Sequence, residues 1–175
     1  MTGDDRSLHR VWRFGADIDT DALAPGAWMQ HGLDTIAKHC LETVRPEFAA
    51  GVRAGDVLVA GPNFGIGSSR EQAAGALRHL GVAAVIAPSF AGLFFRNAFN
   101  LGLLLLTCPQ AGAITEGELI TIDPHAGWVV RANGSALPTD PVPGFLLDMV
   151  EAGGLLPQLK RRFQPPGVSR DPSPL

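Results

Sequence analysis

The strongest pattern lies mid-chain. Residues 56–60 (DVLVA), 83–87 (AAVIA) and 103–107 (LLLLT) are short apolar runs bounded by glycine or proline, as strands buried on both faces should be. Between the first two, residues 68–80 place Ala73, Ala76, Leu77 and Leu80 at the three-and-four spacing of a helix face, and Gly81 closes the segment. Between the second and third, residues 91–101 put Leu93, Phe94, Ala98 and Leu101 on one stripe, with Gly102 beyond its end. Strand, helix, strand, helix, strand predicts an α/β fold: a largely parallel central sheet with right-handed crossovers, flanked by helices.

The pattern changes on either side of this unit. Residues 11–18 predict a first strand, followed by the turn-prone Asp19-Thr20-Asp21 and Pro25-Gly26, then short helices over 32–40 and from 42 onward. Residues 118–123 and 127–132 predict a β-hairpin around Pro124-His125-Ala126. A proline-rich bridge over 138–143 leads to a helix over 144–152, broken by Gly153-Gly154, and a further helix ends at Lys160-Arg161-Arg162. Residues 11–163 read as one domain, with 1–10 and 164–175 as tails, the latter too rich in proline and serine to pack.

Composition narrows the function classes. With 14 basic against 17 acidic residues and a net charge of −3, the chain lacks the basic excess that nucleic acid requires. No apolar run approaches the roughly 18–20 residues of a membrane-spanning helix. Only 18% of residues are charged while 46% are hydrophobic, which leaves polar surface scarce and suggests a face covered by a partner. The two cysteines, Cys40 and Cys108, form no C-x-x-C, so a thiolate-held zinc or iron–sulfur site within the chain is not expected. A reducing cytoplasm suits them. His39, His79 and His125 read as surface or helix histidines, and Trp12 and Trp128 as packing anchors.

Candidate chemistry concentrates in residues 61–72, GPNFGIGSSREQ, a glycine-rich turn joining a strand's carboxyl end to a helix start. Gly65 and Gly67 allow close backbone approach, so successive N–H groups can converge on an anion beside the helix N-terminus. A phosphate loop of the Walker type would need Gly-Lys-Ser/Thr, where this chain has Gly67-Ser68-Ser69. A dinucleotide fingerprint would need its third glycine at Arg70, and G-x-S-x-G is absent. An arginine in the first turn is unfavourable beside the positive helix end unless an anion lies between them. That points to a carboxylate, held by Arg70 with help from Ser69 and the loop amides. A plainer reading of the same residues is a capping box, Ser68-x-x-Glu71, worth about 1 kcal/mol with no function attached.

At these residues the chain resembles the small subunits of aconitase-type hydro-lyases, most closely those of 3-isopropylmalate dehydratase. Asp17-Ile-Asp-Thr-Asp21, with Pro25-Gly26 after it, is similar to the family's early D-x-[ND]-T-D…PG block. Gly61-x-Asn63-Phe64-Gly65-x-Gly67-Ser68-Ser69-Arg70-Glu71 is similar to its most specific motif, and Ala87-Pro88-Ser89-Phe90-Ala91 and Phe94-x-x-Asn97-x-x-x-x-Gly102-Leu103 continue in register. The resemblance implies a swivelling β/β/α domain that closes over an active site whose [4Fe–4S] cluster belongs to a separate large subunit, with no cofactor in this chain. It implies Ser68 as the base that removes the proton α to a carboxylate, and Ser69, Arg70 and Gly67 as substrate-binding residues. Asp21 matches a supporting active-site carboxylate. The open iron of the partner's cluster would take the departing hydroxyl.

Departures from the family pattern bear on substrate. After Pro25-Gly26 the family has an aromatic-leucine pair followed in many members by a recognition residue, often arginine when a further carboxylate must be bound, where this chain has Ala27-Trp28-Met29-Gln30-His31. Trp28, Met29, Gln30 and His31 are therefore the candidate recognition residues, and they favour an apolar or neutral γ-group, with 3-isopropylmalate the leading substrate. His31, if cationic, still leaves room for an acid. Ile66 and Gln72 stand where many members have cysteine and histidine. Dimethylmalate- or homoaconitate-like substrates, and a non-catalytic carboxylate-binding module, remain open.

Overall fold

The three central apolar runs form strands because both of their faces are covered. In the computed structural model, which describes residues 7–164, β2 (Val57–Val59) and β3 (Ala84–Ala87) are buried throughout, and β4 (Leu104–Thr107) is buried except at its last residue. β1 (His9–Arg13) pairs in parallel with β2, β2 with β3, and β3 with β4. Three further strands, β5 (Leu119–Asp123), β6 (Trp128–Val130) and β7 (Ala136–Pro138), extend the sheet antiparallel from β1. The order is β4-β3-β2-β1-β5-β6-β7, a mixed seven-stranded sheet with its parallel half on one side.

The helices predicted between the strands are α4 (Glu71–His79) and α5 (Gly92–Asn100), which pack on each other. Short α1 (Thr20–Leu23) and α2 (Leu33–Lys38) lie against α4, while α3 (Phe48–Gly51) brings Phe48 edge-on to Trp12 and Phe14. The C-terminal pair, α6 (Gly144–Ala152) and α7 (Leu155–Phe163), breaks at Gly153 and Gly154, both with positive φ. A Cβ on Gly154 would stand 2.6 Å from the Asn100 carbonyl oxygen, so the break also sets how closely the pair approaches the end of α5.

Three differences from the sequence expectations have physical causes. β1 takes in His9 and Arg10, assigned above to the N-terminal tail, because both pair with β5 and His9 Nδ1 meets the Gly55 carbonyl at 2.6 Å. The strand also stops at Arg13 rather than residue 18, since the chain beyond leaves the sheet to run beside residues 61–66. β7 falls at the edge of the proline-rich bridge; its three residues carry too little pattern to be seen, and Pro138 can stand only because the strand is an edge. Residues 1–6 and 165–175, most of the predicted tails, lie outside the described residues.

Asp56, buried at the start of β2, accepts hydrogen bonds from Trp12 Nε1 (2.9 Å), the Arg53 amide (2.9 Å) and the Arg10 guanidinium. Burial raises its pKa, but Arg10, Arg53 and Trp12 together hold the carboxyl below its usual range, so the buried charge is compensated.

Candidate functional site

Beyond the carboxyl ends of β1 and β2, two irregular segments run side by side. The Gly61 amide donates to Gly15 O (3.0 Å), Asp17 to Pro62 O (2.9 Å), Gly65 to Ile18 O (2.7 Å) and Thr20 to Ile66 O (2.8 Å). Approach this close requires glycine: a Cβ on Gly61 would sit 2.7 Å from the Ala16 nitrogen, and one on Gly65 (φ 83°) only 2.2 Å from the Phe94 ring. Asp17 and Asn63 both adopt left-handed φ, 58° and 63°, and are joined by Asn63 Nδ2 donating to Asp17 Oδ1 at 2.9 Å. Asn63 N also donates to Ser89 Oγ (2.8 Å), which ties the turn after β3 into the same clasp. Asp and Asn tolerate this conformation best, which accounts for their positions.

The capping reading of Ser68 fails. α4 begins at Glu71 with Arg70 at its N-cap and no side-chain cap. Gly67 (φ 107°) and a tight turn in which the Arg70 amide donates to Ser68 O (2.8 Å) hold the chain out of the helix for two residues longer than the sequence suggested. Ser68 and Ser69 are exposed on the loop, and among the described residues the N–H groups of Gly67, Ser68 and Ser69 meet no protein acceptor. Ser68 Oγ instead faces Thr20 Oγ1 at 3.4 Å.

Arg70 folds back over α1. Its Nη1 donates to Asp21 Oδ1 (2.7 Å) and to Ala24 O (3.0 Å), and Gly26 N donates to the same Asp21 oxygen at 3.1 Å. The Arg70 bond, then the Gly26 amide, holds the Asp21 carboxyl below its ordinary range. A carboxylate so held is a weak proton acceptor; it orients Arg70, whose Nε and Nη2 remain available to an incoming carboxylate.

The candidate recognition segment follows directly from this pair. Gly26–Trp28 form a 3₁₀ turn in which Trp28 stacks on His39, centroids 3.8 Å apart, and its Nε1 donates to Glu42 Oε1 at 3.4 Å. Met29 is half-buried against the core, whereas Gln30 and His31 are exposed. Trp28 is thus an anchor of the segment, and Gln30 and His31 are the members free to meet a ligand. His31 lines a cleft of about 330 Å³ with Leu33, Ile36, Glu71, Gln72, Gly75 and Leu101, beside the first turn of α4. Thr20, Asp17 and Asn63 appeared in the sequence only as motif members without a role; polar residues facing each other across two turn-rich segments were the available signal.

A metal centre is a separate question. Among the described residues no three His, Cys, Asp or Glu side chains lie together as a metal site, and both cysteines are buried. The described residues do not fit an iron–sulfur cluster.

Comparison with known proteins decides the family. The aconitase C-terminal domain family matches residues 43–111. The 3-isopropylmalate dehydratase small subunit 1 of Archaeoglobus fulgidus is 45% identical over 151 residues, covering 85% of this chain and 94% of that protein. The chain belongs to the family of 3-isopropylmalate dehydratase small subunits. These are subunits of a hydro-lyase that works with a large subunit. The methanogen homoaconitase small subunit of Methanothermobacter thermautotrophicus is equally similar, 46% identical over 149 residues, with 84% of this chain and 86% of that protein covered. The crystal structure of 3-isopropylmalate dehydratase (LeuD) from Methanocaldococcus jannaschii matches with a TM-score of 0.83 at 39% identity, over 89% of this chain and 93% of that one. This small-subunit fold is the one described above, with a parallel core continued by an antiparallel part. Among the described residues no helix is long and apolar enough to cross a membrane.

Proposed function

We propose that this chain supplies the proton-transferring and carboxylate-binding half of a cytoplasmic enzyme that isomerises 3-isopropylmalate by dehydration and rehydration. Its partner in this reading is a large subunit that carries the [4Fe–4S] cluster. Arg70, pre-set by Asp21, and Ser69 with the Gly67 and Ser68 amides bind a substrate carboxylate. Ser68 Oγ, as alkoxide, takes the proton from the carbon α to it, and hydroxide leaves the neighbouring carbon to give the alkene. Return of a proton and of hydroxide to exchanged carbons yields the isomer, with no net redox change.

The single observation that carries this reading is that Ser68 stands free of the helix, beside three uncommitted amides and an arginine already oriented by a carboxylate. Helix capping does not explain that serine, whereas stabilising an anion does. The substrate assignment rests on the cleft at His31, whose lining includes Leu33, Ile36 and Leu101 and whose formally charged member is Glu71. A branched alkyl substituent suits such a surface, and Glu71 repels a third carboxylate. Similarity alone does not separate the two substrates, since relatives named for each are about equally close.

The test is anaerobic reconstitution with the large subunit and a panel of hydroxy diacids, following the unsaturated intermediate in the ultraviolet. Activity with 3-isopropylmalate and little with homocitrate-like triacids is expected. Gln30→Arg should shift preference toward the triacid by about 1–3 kcal/mol. A wild-type enzyme that prefers the triacid would overturn the substrate reading.

A further inference from the structure

Thr20 and Asp56 are the polar or charged side chains among the described residues that are essentially shut off from solvent, at 3% and 5% exposure. Asp56 is surrounded by donors, but the Thr20 hydroxyl has a single hydrogen-bond partner, Ser68 Oγ at 3.4 Å. Burying a hydroxyl costs free energy unless it is satisfied, and this one is satisfied only by the loop serine.

Thr20 is also firmly placed. Its amide donates to Ile66 O (2.8 Å), its carbonyl accepts from Ala24 N (2.9 Å), and Asp19 caps the turn by accepting from Ala22 N (2.7 Å). A β-branched side chain on such a fixed backbone has little freedom at χ1. Gly67 leaves the approach to Ser68 open: a Cβ there would press to 3.0 Å from Thr20 Oγ1.

We infer that Thr20 is a positioning residue for the reaction, donating its hydroxyl hydrogen to Ser68 Oγ and stabilising that oxygen when it is negatively charged. The inference rests on the reading of Ser68 as base. Thr20 keeps its own proton throughout: Ser68 is an alkoxide when substrate arrives and a hydroxyl once it holds the α proton. The 3.4 Å separation is long for a bond between hydroxyls, and a charged acceptor draws such a donor closer. Loop amides can serve the alkoxide from the backbone side, while Thr20 is the buried side-chain donor beside it.

The experiment compares Thr20→Val, Thr20→Ser and Ser68→Ala in the reconstituted two-subunit enzyme. Valine matches threonine in shape and removes only the hydroxyl. Thr20→Val should lower kcat about 10- to 100-fold with KM within about threefold of wild type. The isotope effect with substrate deuterated at the carbon that loses its proton should grow, the thermal midpoint should hold, and Thr20→Ser should recover most of the rate. Wild-type kcat in Thr20→Val overturns the inference, as does a loss with an unchanged isotope effect that serine fails to rescue. If Thr20→Val does not assemble, Thr20→Ala against Thr20→Ser makes the same comparison. Full activity in Ser68→Ala would instead remove the base reading itself, so the two failures are distinguishable.

Discussion

In the proposed reaction Arg70 carries two jobs with one guanidinium. Nη1 is spent on Asp21 and Ala24, which fixes the plane of the fork and leaves Nε and Nη2 with no protein acceptor among the described residues. Lysine keeps the charge but has a single point of attachment, so it must choose between Asp21 and the substrate. Arg70→Lys should raise KM about 10- to 100-fold with a smaller effect on kcat, read from steady-state kinetics of the reconstituted enzyme. A change confined to kcat would place Arg70 outside substrate binding. At this scale Ser68, Ser69 and Arg70 stood out in the sequence because a cation beside a helix's positive end is unfavourable unless an anion lies there; their roles belong to the proposed reaction. Ser68 was nevertheless ambiguous: S-x-x-E reads as a cap until the positive φ of Gly67 and the Arg70–Ser68 turn show that the helix starts later.

Among the elements, the junction between the parallel and antiparallel halves depends on Glu118. Its carboxylate accepts from Arg131 Nε (3.0 Å) and Nη2 (3.1 Å), from Thr115 N (2.9 Å) and Oγ1 (3.2 Å), and from Ala132 N (3.1 Å). This clamps the entry of β5 to the exit of β6. Burial pushes the carboxyl's pKa up, but these donors outweigh it and bring it from 4.5 down to about 2. The depressed value means that the stabilisation is fully present above pH 4.5 and is lost as pH falls through about 2. Glu118→Gln should destabilise the chain by roughly 1–3 kcal/mol at neutral pH and flatten its acid limb between those values, measured by chemical denaturation across pH. An unaltered acid limb would show that another carboxylate governs it.

The same scale shows why some elements could be read and others not. β2, β3 and β4 are uninterrupted apolar runs and α6 matches its predicted bounds, because burial writes itself into residue type along each. The end of β1 is decided by backbone pairing with residues far along the chain, and β7 is a three-residue strand held by backbone pairing to the adjacent β6; neither leaves a period in the sequence.

At the scale of the molecule, the candidate site is an open face. Ser68 and Ser69 are exposed and the Asp21 side chain is 67% exposed, so water reaches groups that the proposed reaction needs dry. A serine alkoxide is strongly disfavoured under those conditions, and amides and an arginine stabilise it far better once solvent is excluded. Leu93, Phe145, Leu156 and Phe163 are exposed apolar residues, in keeping with the sparse charge content that suggested a face covered by a partner.

The most direct measurement is the rate of 3-isopropylmalate isomerisation by the large subunit combined with wild-type or Ser68→Ala small subunit, with each subunit also assayed alone. The account predicts no turnover by either subunit alone, turnover by the wild-type pair, and a loss of about 10²- to 10⁴-fold in the Ser68→Ala pair with assembly intact. Turnover by the Ser68→Ala pair at the wild-type rate would contradict it.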